Sequence, residues 1–399
     1  MTLSLSMIVR DEADSLGACL ASVRGFVDEM VVVDTGSEDD TVAIARAAGA
    51  VVHHLPWPGD FAAARNGALE WVSGDWVLVL DADERLRPEA RAPLRQAMAQ
   101  PDGLLITLLR QECGALQSPY SSVSRLFRRH PAIVWSRAYH ALVDDSVEAL
   151  LAREPHWRLL HCPEPALLHD GYRPERIARG AKAGRLREAM EAELRRTPAD
   201  PYTCAKLGGL EISGGNLERG VALLQRGLAR CPADAHPERY ELLLHLALAR
   251  TRTDPRAGEA LYRQALALPL DPRLTLASRL NLAALLRERG EPGEAVALAR
   301  EATRVAPELA HGWLHLGLSL RRAGEPAAAI VAYRQALTLE PTRAETHQNL
   351  AVALLLVGDV LGARQHFREA LQLLRAQGRP EDAEALRVRA AGLVTLEES

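Results

Sequence analysis

Two aspartates separated by one residue, Asp81-Ala82-Asp83, follow directly on the apolar run Trp76-Val77-Leu78-Val79-Leu80. In an extended chain, residues two apart point to the same side, so both carboxylates can face one ligand. Hard carboxylates facing solvent suit Mg²⁺ or Mn²⁺ shared with phosphate oxygens. A metal there would neutralise the charge growing on a departing diphosphate. Alone the motif also describes many solvated turns, so its surroundings decide its weight. The other chemistry-bearing residues are sparser. His53-His54 end an apolar stretch but lack ligand spacing, and neither His156 nor His161 has an assignable role. The five cysteines (Cys19, Cys113, Cys162, Cys204, Cys231) contain no C-x-x-C pair and read as reduced, mostly buried thiols.

Such aspartates need elements that bring them to an edge. Over residues 1 to about 110, short apolar runs alternate with amphipathic stretches. Leu3–Val9, Met30–Val33, Ala50–His54, Trp76–Leu80 and Leu104–Leu109 read as strands. Leu16–Val23, Thr41–Ala48, Ala62–Val72 and Pro88–Met98 read as helices. Ser37 with Asp40 offers a capping-box-like start to the second helix, and Gly49 a C-cap. Asp34, ending the second strand, is a second candidate for that cap. The alternation predicts an α/β domain with a mainly parallel, Rossmann-like sheet. Ligands of such sheets bind at the carboxyl ends of the strands, where Asp34 and Asp81 fall.

From about residue 201 the period changes to 34 residues. In Ala310–Arg343, Trp313, Leu316-Gly317 and Leu320 mark one helix, Gly324 a turn, Ala329, Tyr333 and Ala336 a second helix, and Pro341 its end. The same pattern returns 34 residues later (Leu350-Ala351, Leu354, Gly358, Ala363, Phe367, Ala370) and 34 earlier (Leu282-Ala283, Leu286, Gly290, Ala295, Ala299, Ala302, Pro307). Residues 201–234 form a further unit, with a looser one around Tyr262 and Ala265. Small residues recur where the two helices of a hairpin must approach closely, and proline stops each second helix. This is the tetratricopeptide pattern, which predicts an all-α solenoid of about five repeats.

Four segments in order, Ser6-Met-Ile-Val-Arg-Asp-Glu12, Val31-Val-Val-Asp-Thr-Gly-Ser37, Trp57-Pro-Gly-Asp-Phe-Ala-Ala-Ala-Arg-Asn66 and Gly74-Asp-Trp-Val-Leu-Val-Leu-Asp-Ala-Asp-Glu84, resemble family 2 glycosyltransferases of GT-A fold. Within that family they are similar to the branch containing the sublancin S-glycosyltransferase, many members of which carry tetratricopeptide repeats. The resemblance implies a GT-A domain over 1–175, followed by a helical linker over 176–200 and the repeat domain over 201–399. It implies hexosyl transfer with inversion from a nucleoside-diphosphate sugar, by preference a UDP-sugar, assisted by Mg²⁺ or Mn²⁺. Ile8, Arg10 and Asp11 would line the nucleotide base, and Asp34 would accept hydrogen bonds from base or ribose. Arg65 is expected near the nucleotide, where its guanidinium fork suits phosphate or a partner aspartate. Asp81 would bind ribose or metal-bound water, and Asp83 would be the direct metal ligand. In Leu168-His169-Asp170-Gly171-Tyr172, which resembles the family's H-x-G-Y segment, His169 would complete the metal shell or touch diphosphate. Trp57 and Asn66 read as scaffold.

Arg125-Leu-Phe-Arg128, Trp135 and Tyr139-His140 resemble the acceptor-side segment of the branch. There a His-Glu pair is usual, whereas this chain has His140-Ala141. The general base is therefore open among Asp144, Asp145 and Glu148, with Asp144 and Asp145 the leading candidates. The missing glutamate also keeps a second reading in view, a repeat scaffold whose glycosyltransferase domain is inactive. A nucleotidyltransferase would call for a Gly-rich basic phosphate loop, and Arg10-Asp-Glu-Ala-Asp14 is acidic instead.

Bulk composition narrows the partners. A net charge of -4 gives no electrostatic case for nucleic acid. Only Lys182 and Lys206 are lysines among 48 basic residues, which reads as a GC-rich, bacterial genome. No apolar run approaches the roughly 18 residues that span a bilayer, and Leu3–Val9 lacks a signal-peptide layout, so a cytoplasmic protein is expected. The repeats predict a concave surface for a peptide or protein acceptor, or for a second copy in a homodimer.

Overall fold

The computed structural model describes residues 1–115, 118–139, 141–171 and 182–393. They form two compact units, Met1–Pro198 and Ala199–Ser399.

In the first unit the strands are β1 (Leu3–Val9), β2 (Glu29–Asp34), β3 (Val51–His54), β4 (Trp76–Val79), β5 (Glu84–Leu86), β6 (Gly103–Glu112), β7 (Tyr120–Arg128) and β8 (Arg158–His169). The helices are α1 (Ala13–Val23), α2 (Thr41–Ala47), α3 (Phe61–Leu69), α4 (Arg91–Met98), α5 (Asp144–Arg153) and α6 (Lys182–Arg196). The eight strands make one sheet in the order β3-β2-β1-β4-β7-β6-β8-β5. The β3-β2-β1-β4 half is parallel, as its helical crossovers require. Beyond it the sheet is mixed, because β7 runs antiparallel to both β4 and β6, and β5 antiparallel to β8. With β6 and β8 also parallel, four of the seven pairings are parallel and the sheet is mainly parallel as expected. β6 and β7 are joined by a connection too short for a crossover, which leaves only the antiparallel pairing there.

Both faces of the sheet are covered. Leu5, Met7, Leu78 and Ile106 pack with Leu16 and Leu20 of α1 and Leu94 of α4. On the other face Val33, Val79, Leu105 and Phe127 pack with Ala68 of α3 and Val147 of α5. The predicted cap of α2 differs. Asp39, not Asp40, accepts the Thr41 N–H at 2.9 Å. Ser37 is drawn off to the β1 turn, where its Oγ accepts from the Asp11 N–H at 3.0 Å.

The second unit is a series of antiparallel helix pairs: α7 (Pro201–Ser213) with α8 (Leu217–Arg230), α9 (His236–Thr251) with α10 (Pro255–Leu266), α11 (Leu276–Arg289) with α12 (Pro292–Val305), α13 (Ala310–Arg322) with α14 (Pro326–Leu339), and α15 (Ala344–Leu356) with α16 (Val360–Ala376), followed by α17 (Pro380–Ala391). The first helix of a pair repeatedly ends on a left-handed glycine, Gly290 at φ 86° and Gly324 at φ 82°. The residue after each returns its N–H to the carbonyl of the last turn, Glu291 to Leu286 and Glu325 to Leu320, both at 2.9 Å. This Schellman closure satisfies carbonyls that would otherwise be orphaned.

Candidate functional site

Asp81 and Asp83 lie just beyond β4, at the carboxyl edge of the parallel half-sheet. They are not extended. The Glu84 N–H bonds the Asp81 carbonyl at 2.9 Å, closing a β-turn over Asp81–Glu84. The turn removes the alternation on which a shared face depended, and the two carboxylates take different partners.

Asp81 faces two arginines. Arg65 Nη2 donates to Oδ1 at 2.6 Å and Arg125 Nη2 to Oδ2 at 2.8 Å. Arg65 projects from α3, a helix started by Asp60, whose carboxylate accepts the Ala63 N–H. Both guanidinium groups lie over Trp135, at 4.8 and 5.9 Å from its ring centroid. Asn66 fixes Trp135 by bonding its backbone N–H and carbonyl, at 2.8 and 2.9 Å. Burial would raise the Asp81 carboxyl, but Arg125 and Arg65 outweigh it and hold the group far below the usual carboxylate range. Arg65 Nη1, Arg125 Nη1 and Trp135 Nε1 are buried with no hydrogen-bond partner among the described residues. Buried donors of this kind are uncommon, and two on arginines suit an anion. Arg125, expected on the acceptor side, thus belongs to the setting of Asp81.

Asp83 faces His169 instead, with Oδ2 3.5 Å from Nε2. The other imidazole nitrogen, Nδ1, bonds Glu112. Glu112 in turn bonds Arg110 at 2.8 Å, Arg110 bonds the fully buried Glu84 at 2.5 Å, and Glu84 accepts the Asp81 N–H at 2.9 Å. The chain of charges therefore leaves the turn at Asp81 and returns to it at Asp83. Register makes this so: His169 of β8 pairs with Glu84 of β5 on one side and with Glu112 of β6 on the other. Gly171 is required beside it, since a Cβ there would lie 2.5 Å from His169 Nε2. Burial lowers the basicity of His169, but its bonds to Asp83 and Glu112 outweigh that and push it up to about 9.

Asp34 closes β2 next to the end of β1, where Val9 pairs with it in register. It is 4% exposed and accepts the Ser37 and Gly36 N–H groups at 3.1 and 3.3 Å. It does not cap α2. His54 Nδ1 lies 3.2 Å from it. Burial raises this carboxyl, and the bonds from Ser37, His54 and Gly36 more than reverse the effect. Asp11, left-handed at φ 53°, accepts the Glu38 N–H at 2.8 Å and so ties the β1 and β2 turns together. Ile8 is half-buried below this cradle, and Arg10 is exposed with its Nε 3.7 Å from Asp11.

Of the base candidates, Asp144 begins α5 and accepts the Ser124 hydroxyl at 2.7 Å, one residue from Arg125. Burial, helped by the charge of Asp145, raises its carboxyl despite the Ser124 bond. Asp145 is half-exposed and bonds Ser136 and Arg137, and Glu148 is exposed. Trp57 packs edge-on against Phe61, which meets Tyr139 in the same way. His140 and Tyr172 lie outside the described residues.

Sequence reasoning missed Arg110, Glu112 and the place of His54. For His54 a signal existed: it ends the parallel strand beside Asp34. For Arg110 and Glu112 none did, because only the β5-β8-β6 pairing brings them in.

Both units match known families. Residues 4–160 match glycosyl transferase family 2, and residues 275–306 and 310–353 match tetratricopeptide repeats. A TPR repeat-containing protein of Synechococcus elongatus is 47% identical over 308 residues, covering 76% of this chain and 75% of that one. An uncharacterized glycosyltransferase of Rickettsia felis is 32% identical over 136 residues, 32% of this chain and 48% of its own. The SPbeta prophage-derived glycosyltransferase SunS of Bacillus subtilis is 25% identical over 207 residues, 50% of this chain and 47% of its own. The chain thus spans about half the length of the two relatives named as glycosyltransferases.

Proposed function

Because the chain belongs to the family 2 glycosyltransferases, with tetratricopeptide repeats C-terminal to the glycosyltransferase domain in sequence, we propose that it transfers a sugar from a UDP-sugar to a peptide or protein with inversion, aided by Mg²⁺ or Mn²⁺. The observation that carries this reading is the approach of Asp83 and His169 to 3.5 Å beside an Asp81 pinned by two arginines. The donor set fits a divalent ion: a carboxylate oxygen and an imidazole nitrogen are in reach of each other. Glu112 fixes the far side of the ring, as carboxylates commonly do for metal-bound histidines. When bound, the ion supplies charge neutralisation at the leaving diphosphate.

The protein's own residues do the rest. Asp34 and the Ile8–Asp11 turn receive the nucleoside. The unpartnered N–H groups of Arg65 and Arg125 turn toward phosphate oxygens, and Asp81 holds both guanidinium groups in place. Asp144 takes the proton from the acceptor nucleophile as the new glycosidic bond forms and the bond to diphosphate breaks; a raised carboxyl suits that task. The repeat surface holds the acceptor or a second copy of the chain. A cytoplasmic setting is part of the proposal, supported by the buried free thiols of Cys19, Cys162, Cys204 and Cys231. Among the described residues no helix is long and apolar enough to cross a membrane.

Nucleotide release from a panel of UDP- and GDP-sugars, with Mn²⁺, with Mg²⁺ and with chelator, tests the donor and the ion. UDP release that depends on metal and is lost in Asp83→Ala is the expected result. Undiminished release under chelation would remove the metal from the mechanism, and turnover of GDP-sugars alone would remove UDP.

A further inference from the structure

In the fifth repeat three donor atoms converge. His347 Nδ1 on α15 lies 3.0 Å from His366 Nδ1 on α16 and 2.9 Å from Glu369 Oε2. His366 Nδ1 and Glu369 Oε2 are themselves 2.9 Å apart. The other nitrogen of His347, Nε2, is 2.9 Å from the Pro341 carbonyl and must carry a proton to bond it. In a neutral ring this leaves Nδ1 as a lone pair facing the other two atoms. A proton can bridge one edge of such a triangle, whereas a cation can satisfy all three corners.

The internal repeat shows that the cluster is an addition to the pattern. Thirty-four residues earlier the positions of His347, His366 and Glu369 hold Trp313, Ala332 and Gln335. Trp313 makes the same anchoring bond, its Nε1–H to the Pro307 carbonyl at 2.8 Å. His347 therefore keeps the structural contact of the aromatic residue and adds a nitrogen on the opposite side of its ring. His366 and Glu369, three apart on one helix face, supply the other two donors at that point.

We propose that His347, His366 and Glu369 form a binding site for Zn²⁺ or a similar borderline divalent ion, which fastens α15 to α16. Two imidazole nitrogens with one carboxylate oxygen are a zinc-type donor set, whereas Mg²⁺ and Ca²⁺ favour oxygen alone. Tetrahedral zinc with bonds of about 2.0–2.1 Å spaces its ligands about 3.3 Å apart, so the triangle opens by only about 0.4 Å. His347 is nearly closed off at 11% side-chain exposure, while Glu369 at 35% leaves the fourth coordination position facing solvent. Water, or a donor atom from a bound protein, fills it.

Full-length protein stripped with chelator and dialysed against Zn²⁺ provides the test, with metal content measured after gel filtration and Co²⁺ substitution read by its four-coordinate absorption band. Wild type and Asp83→Ala should each retain one zinc and show the band. The double variant His366→Ala, Glu369→Gln should lose both. It should melt with the wild type in chelator, because the preceding repeat already carries alanine and glutamine at these positions. Zinc should raise the melting temperature of the wild type and not of the double variant. Absence of zinc from the wild type, retention by the double variant or loss in Asp83→Ala would each overturn the assignment.

Discussion

Asp81 shares one carboxylate between Arg65 and Arg125, and both arginines lie against the ring of Trp135. Removing either cation leaves the other charges imperfectly matched. Loss of one partner from a fully buried ion pair costs about 3–5 kcal/mol. Because a third of the Asp81 side chain reaches solvent, Arg65→Ala should cost less, about 2 kcal/mol. Denaturant midpoints measure this, and the same variant should weaken UDP-sugar binding by calorimetry. Unchanged values in both would mean that the pairing contributes nothing. Asp144 is the converse case, a carboxyl that touches no cation within hydrogen-bonding distance among the described residues. Asp144→Asn should slow transfer on the order of 10²-fold while leaving donor affinity intact, as single-turnover rates and a donor titration would separate. Equal loss of binding would instead make Asp144 a structural cap of α5. Aspartates and arginines announce themselves in a sequence, but their pairings do not. Arg125 stands 44 residues from Asp81, and nothing local says that β7 lies against β4.

Elements of the two units differ in how openly the chain states them. In the repeats two close approaches are each written as a glycine and its complement sixteen positions on. Gly317 lies under Tyr333, and Gly208 under Leu224. A Cβ on Gly317 would stand 2.6 Å from Tyr333 Cδ1, closer than packed carbons approach. Gly317→Ala should therefore force the ring aside and cost about 1–3 kcal/mol, measurable as a lowered thermal midpoint. An unchanged midpoint would show that the α13–α14 seam has slack. Such local, periodic contacts are what a sequence displays best. The parallel half-sheet was nearly as legible, because β1 to β4 are short apolar runs separated by amphipathic helices. The mixed half was not. β7 carries serines and arginines, β5 is three residues long, and both are placed by pairing partners rather than by a pattern of their own. The site inherits this division. Its cradle at Asp34 and its aspartate turn could be found from the chain, while the Glu84-Arg110-Glu112-His169 relay exists only through the bulged register of β6 and β8.

At the scale of the molecule, the two units carry histidines shifted in opposite directions. In the repeats, His311 and His315 stack edge-on 4.4 Å apart, with Arg343 3.5 Å from His311. Burial first, and then the charge of Arg343, pushes His311 down to about 4. Burial, His311, Arg287 and Arg343 push His315 well below its ordinary value. Unfolding returns each ring to about 6.5, so between pH 6.5 and 4 the unfolded chain binds more protons than the folded one. Stability of the repeat unit is thus full above pH 6.5 and falls as pH drops toward 4, by on the order of 2–3 kcal/mol for His311 alone. His169 works the other way in metal-free protein. Held up to about 9, it stabilises the first unit fully below pH 6.5, and that contribution fades as pH rises toward 9. Carboxylates held low, Asp34 and Glu112 among them, withdraw their support only near and below their ordinary values of 3.8 and 4.5. At pH 5, then, the repeats should be weakened while the sheet unit is not, and at pH 8.5 the order should reverse. Hydrogen exchange of metal-free protein, corrected for intrinsic rate and resolved by peptide, reads the two units separately. Faster exchange in peptides of Ala310–Arg322, the helix that carries both rings, at pH 5 than at pH 7, reduced by His311→Gln with His315→Gln, is the expected result. Equal protection at both pH values would show that these rings carry their protons into the folded state.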